Sequence, residues 1–243
     1  MAIDSVPIIG GGVSKRELKI FWLIDVSGSM AIDGKMTAVN RAIKAVIPEL
    51  QSSAEDFPDI QTYVQAMKFG NGAEWHNSSA EKIESYVWRE IDAEQAVTDM
   101  GAAMQLLAHE LTEEKLGKKA IPPVIILLSD GQPTDNYEGG LEELLKQRWS
   151  KKSIRVAIAI GKDADEEKLK MFCSNPVEIP PFVAGNETQL VKFIKWASVA
   201  LSRTASTPAI DATGGVAAVP TPPPIKAEVK IGEASDDTDD DVW

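Results

Sequence analysis

The sequence predicts an α/β fold: a doubly wound, mostly parallel central sheet with one antiparallel edge strand and helices on both faces. Three observations lead there. The runs Lys19–Asp25, Pro122–Leu128 and Ile154–Ile160 are predominantly apolar without polar alternation, the pattern of strands covered on both faces. Segments with apolar residues at helical spacing lie between them, and such alternation specifies a doubly wound sheet. Two of the runs lead straight to a carboxylate, Asp25 and Asp130, which places acidic oxygens at the strand ends where open α/β sheets hold ligands.

With 243 residues, 44% of them hydrophobic, the chain can bury one substantial core. Residues 1–17, with Pro7 and Gly10-Gly11-Gly12 and no periodicity, read as a flexible lead-in, and residues 18–202 as the domain. In residues 203–243, Ala, Pro, Thr and Gly give way to an Asp-rich terminus. Eight acidic groups against three basic ones make this a disordered Pro-rich and acidic tail. The net charge of -12 argues against nucleic acid, whose phosphates need clustered Lys and Arg, and favours a partner with a basic face. No apolar run reaches the ~18 residues of a membrane span. The amino terminus lacks a basic stretch followed by an apolar one, and the lone Cys173 cannot form an internal disulfide. The expected location is cytoplasmic, with no membrane partner.

Taken in order, the first buried strand ends at Asp25. From Lys35, the residues Met36, Val39, Ala42, Ile43, Val46, Ile47 and Leu50 recur at helical spacing, with Pro48 expected to bend the helix or close it early. Ile60–Phe69 reads as a strand, and Gly70-Asn71-Gly72 as the turn into a short antiparallel strand, Ala73–His76, at the sheet edge. Residues 78–97 carry conflicting signals: Ser79-Ala-Glu81 could open a short helix, whereas Tyr86-Val-Trp-Arg89 suits an extended segment. Thr98 stands before a helical pattern running to Leu111 and could cap it. After the strand Pro122–Leu128, Gly139–Ser150 reads as a helix, Ile154–Ile160 as the third buried strand, and Asp163–Cys173 as a covering helix. Pro180-Pro181 confines Val177–Val183 to an edge or irregular strand, and Thr188–Leu201 makes the final helix.

The chemistry concentrates at Asp25-Val-Ser27-Gly28-Ser29. Alternate positions bring three oxygens to one side of a loop while Gly28 lets the backbone bend, and hard oxygen donors gathered at a point suit Mg²⁺ or Mn²⁺. Asp25-x-Ser27-x-Ser29 resembles the metal-ion-dependent adhesion site of the von Willebrand factor A (VWA) domain. In that family a Thr on a later loop and an Asp after another buried strand complete the site. Thr98, opening Thr98-Asp-Met-Gly101, and Asp130, in Ser-Asp130-Gly131, stand in those places. The resemblance covers about residues 18 to 201 and implies a VWA or Rossmann-like fold. It implies a non-enzymatic, divalent-metal-dependent protein-binding module, with Ser27, Ser29 and Thr98 ligating through hydroxyls and Asp25 and Asp130 acting directly or through water. Mg²⁺ is the implied ion, with Mn²⁺ or Ca²⁺ as alternatives, and the protein partner would supply an Asp or Glu carboxylate to it. Within the family the chain looks similar to bacterial TerY-like tellurium-resistance proteins. That likeness implies stress-response or phosphorylation signalling beside a kinase or phosphatase.

Other readings fit the residues less well. A Mg²⁺-dependent aspartyl-phosphate phosphotransferase of haloacid-dehalogenase type would use Asp25 as nucleophile and Asp130 and Asp135 as metal holders, but it needs an acid where Ser27 stands. A VWA-shaped scaffold without metal would waste five oxygen donors. Around Gly34-Lys35, Ser29 and Met36 occupy the places where a phosphate-binding loop needs glycine and a hydroxyl. His76 and His109 lie in unrelated contexts, Cys173 reads as a small core residue, and Trp22, Trp88, Trp149 and Trp196 read as packing. Asp33, Asp99 and Asp135 could orient metal-bound waters or be solvated loop charges.

Overall fold

The computed structural model describes residues 15–118, 120–130, 132–161, 164–206, 221 and 223. The expected flexible lead-in and acidic tail fall largely outside them. Strands β1 (Arg16–Asp25), β2 (Ile60–Gly70), β5 (Val124–Ser129), β6 (Ile154–Ile160) and β7 (Phe182–Ala184) pair in parallel in the order β2-β1-β5-β6-β7. Along the outer edge of β2 run β3 (Gly72–Trp75) and the two-residue β4 (Glu81–Lys82), both antiparallel to it. The expected mostly parallel sheet with an antiparallel edge is therefore present. β1 begins before the apolar run does, because Arg16 is zipped to the edge by its N–H bond to the Asp59 carbonyl and by parallel pairing with Ile60.

Side chains alternate along β1 and divide the core in two. Leu18, Ile20, Trp22 and Ile24 pack on the side of α1 (Lys35–Glu55) and α7 (Glu187–Lys195). Phe21 and Leu23 face the other way, toward α2 (Met100–Glu110), α4 (Tyr137–Lys146) and α6 (Glu166–Phe172). A central strand buried on both faces explains why the run shows no polar alternation. The short α3 (Glu113–Leu116) and α5 (Arg148–Lys152) complete the second layer. After α7 the helix passes through a π turn, Trp196–Ala200, into α8 (Leu201–Ser206). Ser198 of the π turn meets the Trp22 indole N–H at 3.3 Å, and Arg203 of α8 ties to Ser53 and Asp56 beyond residue 202.

Several local expectations are corrected. Pro48 does not end α1, which continues to Glu55 because Val46, Ile47, Leu50 and Ser53 are buried against the sheet. The predicted helix Gly139–Ser150 is two helices, starting earlier under the Asn136 cap and parting at Gln147, whose ψ of 138° is extended. The helix predicted at Asp163–Cys173 covers only Glu166–Phe172, its amino end capped by the Asp165 side chain. The strand predicted at Val177–Val183 shrinks to β7, which begins just after the prolines. Ser79-Ala-Glu81 opens no helix, only β4 and a 3-10 turn at Ile83–Ser85.

Two buried asparagines anchor the largely irregular stretch 77–91 near its two ends. Asn77 accepts from the Ala66 N–H at 2.7 Å and donates to the Val64 carbonyl, standing in for a strand partner on β2. From α1, Asn40 both donates to the Ile91 carbonyl (2.8 Å) and accepts its N–H (3.0 Å), while also accepting from the Trp88 indole. A carboxamide carries the same donor and acceptor as a peptide group, so it can satisfy a buried backbone as a neighbouring strand would.

Helices α2 and α4 cross at glycine. A methyl group on Gly140 would lie 2.4 Å from the Gly101 carbonyl oxygen and 2.8 Å from its Cα. No rotamer relieves a backbone contact, so Gly140→Ala must push the helices apart. It is expected to destabilise the fold by about 1–3 kcal/mol, measured by urea unfolding, with Glu142→Ala on the exposed side of α4 close to neutral.

Candidate metal centre

The chain order places the site. β1 connects toward β2 on one side and has β5 on the other, so the strand order reverses between β1 and β5, and a crevice opens beyond their carboxyl ends. Asp25 ends β1 and Asp130 follows β5. Both are buried, as are Ser27 and Thr98, while Ser29 is half-buried.

Three loops meet here. In the first, the Asp25 carboxylate accepts from the Ser27 N–H at 2.9 Å through Oδ1, and from the Ser129 hydroxyl at 2.6 Å through Oδ2. The Ser27 and Ser29 hydroxyls lie 3.0 Å apart, so the alternate spacing does bring them together. The second loop adjoins through the Gly28 N–H, which donates to the Ala96 carbonyl at 3.0 Å, and through the Glu94 N–H to Val26. The third is bound to the second: the Thr98 N–H donates to the Thr134 hydroxyl at 3.0 Å, and the Thr134 N–H returns to the Thr98 carbonyl at 2.9 Å. Asp25, Ser27, Ser29, Thr98 and Asp130 are thus brought to one end of the sheet on mutually bonded loops.

Burial pushes the Asp25 carboxyl up to about 6. The hydrogen bonds from Ser129 and Ser27 oppose the shift, and the negative charge of Asp130 adds to it. Asp130 Oδ1 is buried and has no hydrogen-bond partner among the described residues. The three loops, residues 26–34, 91–99 and 130–137, contain six carboxylates and no lysine or arginine. Two buried acids without a cation of their own are costly unless something positive joins them. Among the described residues no three of His, Cys, Asp and Glu gather closely enough to hold a metal, so any ion here would draw on hydroxyl oxygens as well. The donor set fits a hard divalent cation.

Other candidates take different roles. Thr98 is not the helix cap; Asp99 stands at that position, and the Asp135 carboxylate caps α2 from a distant loop, accepting from the Gly101 and Ala102 N–H groups at 2.8 Å each. Asp99 instead accepts from Gly72 at 2.8 Å, fastening the β2–β3 turn. Asp33 is exposed in a left-handed turn. Ser129 and Thr134 escaped the sequence reading: the first looks like the last residue of a strand, and the second like loop filler before a proline-free turn. His76 packs at a tilt against Trp88 and bonds the Arg89 carbonyl, His109 is exposed on α2, and Cys173 is buried. Trp22, Trp88, Trp149 and Trp196 are all core residues.

A parallel open sheet that sets hydroxyl and carboxylate oxygens at its reversal point defines an α/β binding domain of the Rossmann-like kind. The chain belongs to the von Willebrand factor type A domain family, whose model matches residues 20–196. Domains of this family serve as protein-interaction modules, often through a divalent metal. Among solved structures it is similar to a von Willebrand factor type A protein from Catenulispora acidiphila (15% identity, TM-score 0.57, covering 79% of this chain and 43% of that one). It is also similar to the ArnB paralog VWA2 from Sulfolobus acidocaldarius (19%, 0.53, 75% and 45%). A third is proximal thread matrix protein 1 from the mussel byssus with a zinc-occupied MIDAS motif (14%, 0.56, 77% and 48%). The chain spans less than half of each of these, and at such identities the likeness is one of fold. No curated protein matches it. Among the described residues no helix is long and apolar enough to cross a membrane.

The raised Asp25 fixes the sign of a pH effect. The folded state holds this proton more tightly (about 6) than the unfolded chain does (3.8), so the contribution of Asp25 to stability falls as pH rises through that window. In chelator at pH 7, Asp25→Asn should therefore be more stable than wild type by up to about 3 kcal/mol. The advantage should shrink toward pH 4.5; parallel urea-unfolding profiles for the two proteins would contradict it.

Proposed function

We propose that this domain is a non-enzymatic protein-binding module that holds a divalent cation, Mg²⁺ first, and uses it to capture a carboxylate of its partner. The observation that carries this is Asp130 Oδ1, buried and without a partner among the described residues, beside the buried Asp25 in loops that lack any basic residue. Ser27, Ser29 and Thr98 would hold the ion through hydroxyls, with Asp25 and Asp130 acting directly or through water. Because three of the five donors are neutral, a bound ion would keep enough positive charge to attract an outside Asp or Glu. Ser129 and the Ser27 N–H keep Asp25 aimed by occupying one lone pair on each of its oxygens. The zinc-occupied site of the mussel protein is compatible with a divalent ion in this fold, and Mn²⁺ or Ca²⁺ are alternatives to Mg²⁺.

A cytoplasmic setting, with a bacterial stress-response or phosphorylation role beside a kinase or phosphatase, extends the sequence resemblance to TerY-like proteins. The single cysteine is in keeping with that compartment. The phosphotransferase alternative loses ground on geometry. It needs Asp135 as a metal holder, yet both oxygens of Asp135 already bond amides of α2, and Ser27 stands where a proton donor is required.

Titration calorimetry tests the proposal. Wild-type protein should bind Mg²⁺, while Asp25→Ala and Ser27→Ala should lose at least about tenfold in affinity, the usual order for removing or misorienting a ligand, and keep cooperative unfolding. Equal Mg²⁺ affinity in Asp25→Ala would refute the site. Hydrolysis of simple phosphoesters that vanishes in Asp25→Asn would favour the phosphotransferase instead.

A further inference from the structure

Five large apolar side chains are exposed among the described residues, and two of them, Ile32 and Val97, stand in the loops that carry the proposed ligands. Ile32, 56% exposed, follows Ser29 by three residues; Val97, 49% exposed, immediately precedes Thr98. Neither is a loose loop tip. Ile32 lies between the buried Met30 and the buried Lys35, and the Lys35 N–H bonds the Ile32 and Met30 carbonyls. Its neighbour Asp33 (φ 54°) is the only non-glycine residue with positive φ among the described residues, a conformation that costs energy and persists where its surroundings impose it. Val97 is pinned by its own N–H to Asn71, by the Ala96 carbonyl to Gly28, and by the Thr98 N–H to Thr134. The Gly28–Ala96 bond makes these loops neighbours.

The exposed charges within these two loops have one sign, and the adjoining Lys35 is buried. Asp33, Asp92 and Glu94 are exposed, and no lysine or arginine occurs in residues 26–34, 91–99 or 130–137. Lys68 on β2 reaches Glu94 but also bonds Glu74, so two carboxylates share its charge. A ligand that offers only acids would gain at the ion and lose against this rim.

We infer that Ile32 and Val97 form an apolar rim that selects, for the carboxylate-binding site proposed above, a protein segment with one acidic residue flanked by apolar side chains and bordered by lysine or arginine. The inference rests on that site. The ion takes the acid, the two fixed apolar residues bury against its neighbours, and the basic residues meet Asp33 and Asp92. Fixed positions matter because side chains already ordered lose little freedom on binding.

Three peptides measured against the full chain in saturating Mg²⁺ test it: Gly-Lys-Leu-Asp-Leu-Lys-Gly, the same with both Leu replaced by Ser, and the same with both Lys replaced by Glu. The first is expected to bind roughly tenfold more tightly than the second, from apolar burial. Its advantage over the third should be several-fold and should fade with added salt. In the double variant Ile32→Ser, Val97→Ser the difference between the first two peptides should vanish, while Mg²⁺ affinity and the urea midpoint stay as in wild type. Equal binding of the first two peptides, a preference that survives the double variant, or binding of none of them to Mg²⁺-loaded protein would overturn the rim. Absence of Mg²⁺ binding in the wild-type protein would overturn the metal site itself, a failure the calorimetry detects before any peptide is added.

Discussion

Burying β1 between two helical layers is the constraint from which the rest follows. A strand covered on both faces must be apolar along its length, and parallel neighbours on both sides require every connection to cross a face through a helix. The first residue free of that requirement is the one at the crevice, and it is Asp25. The same geometry, repeated one strand over, leaves Asp130 beside it. Two acids come together because the sheet has nowhere else to put the ends of its central strands.

The loops then decide what that pair can do. Asp135 caps α2, Thr134 exchanges bonds with Thr98, and Gly101 meets Gly140, so the second and third loops are fastened to each other. Such fastening fixes positions in advance, which suits a site whose work is binding. A buried carboxylate with a raised proton affinity weakens the fold near neutrality when nothing positive lies beside it, and such perturbed groups cluster at functional sites.

Much of this was legible in the residues. Asp25 and Asp130 stood out because each terminates an apolar run, and Ser27, Ser29 and Thr98 because a known motif supplies their spacing. The strands declared themselves wherever burial was two-sided. What stayed hidden depended on partners far along the chain. Asp135 serves a helix more than thirty residues before it, and nothing local separates a cap in trans from a metal-water ligand. Ser129 reads as one more strand residue until Asp25 is placed opposite it, across 104 positions. Residues 78–97 resisted because, apart from β4 and a 3-10 turn, they are tied down at separate points, among them Ile91 by Asn40 and Ser79 by Asn77, side chains whose role is set by tertiary neighbours. Pro48 misled in the other direction, since packing of the α1 face outweighs one lost hydrogen bond.

The π turn at Trp196–Ala200 carries a consequence of angle. An i→i+5 turn holds one residue more than the α-helical turn it replaces, and in an α-helix one residue is a rotation of about 100°. The insertion therefore resets the azimuth of everything downstream: Ser198 is presented to Trp22 at the centre of the sheet, while Arg203 comes round to Ser53 and Asp56 at the far end of α1. Deleting a single residue within the turn would restore a regular helix and leave its length almost unchanged, yet it would swing Arg203 off its partners. The carboxyl-terminal helix is thus keyed to the sheet by phase, and a change there would be read as misalignment long before it was read as lost helix.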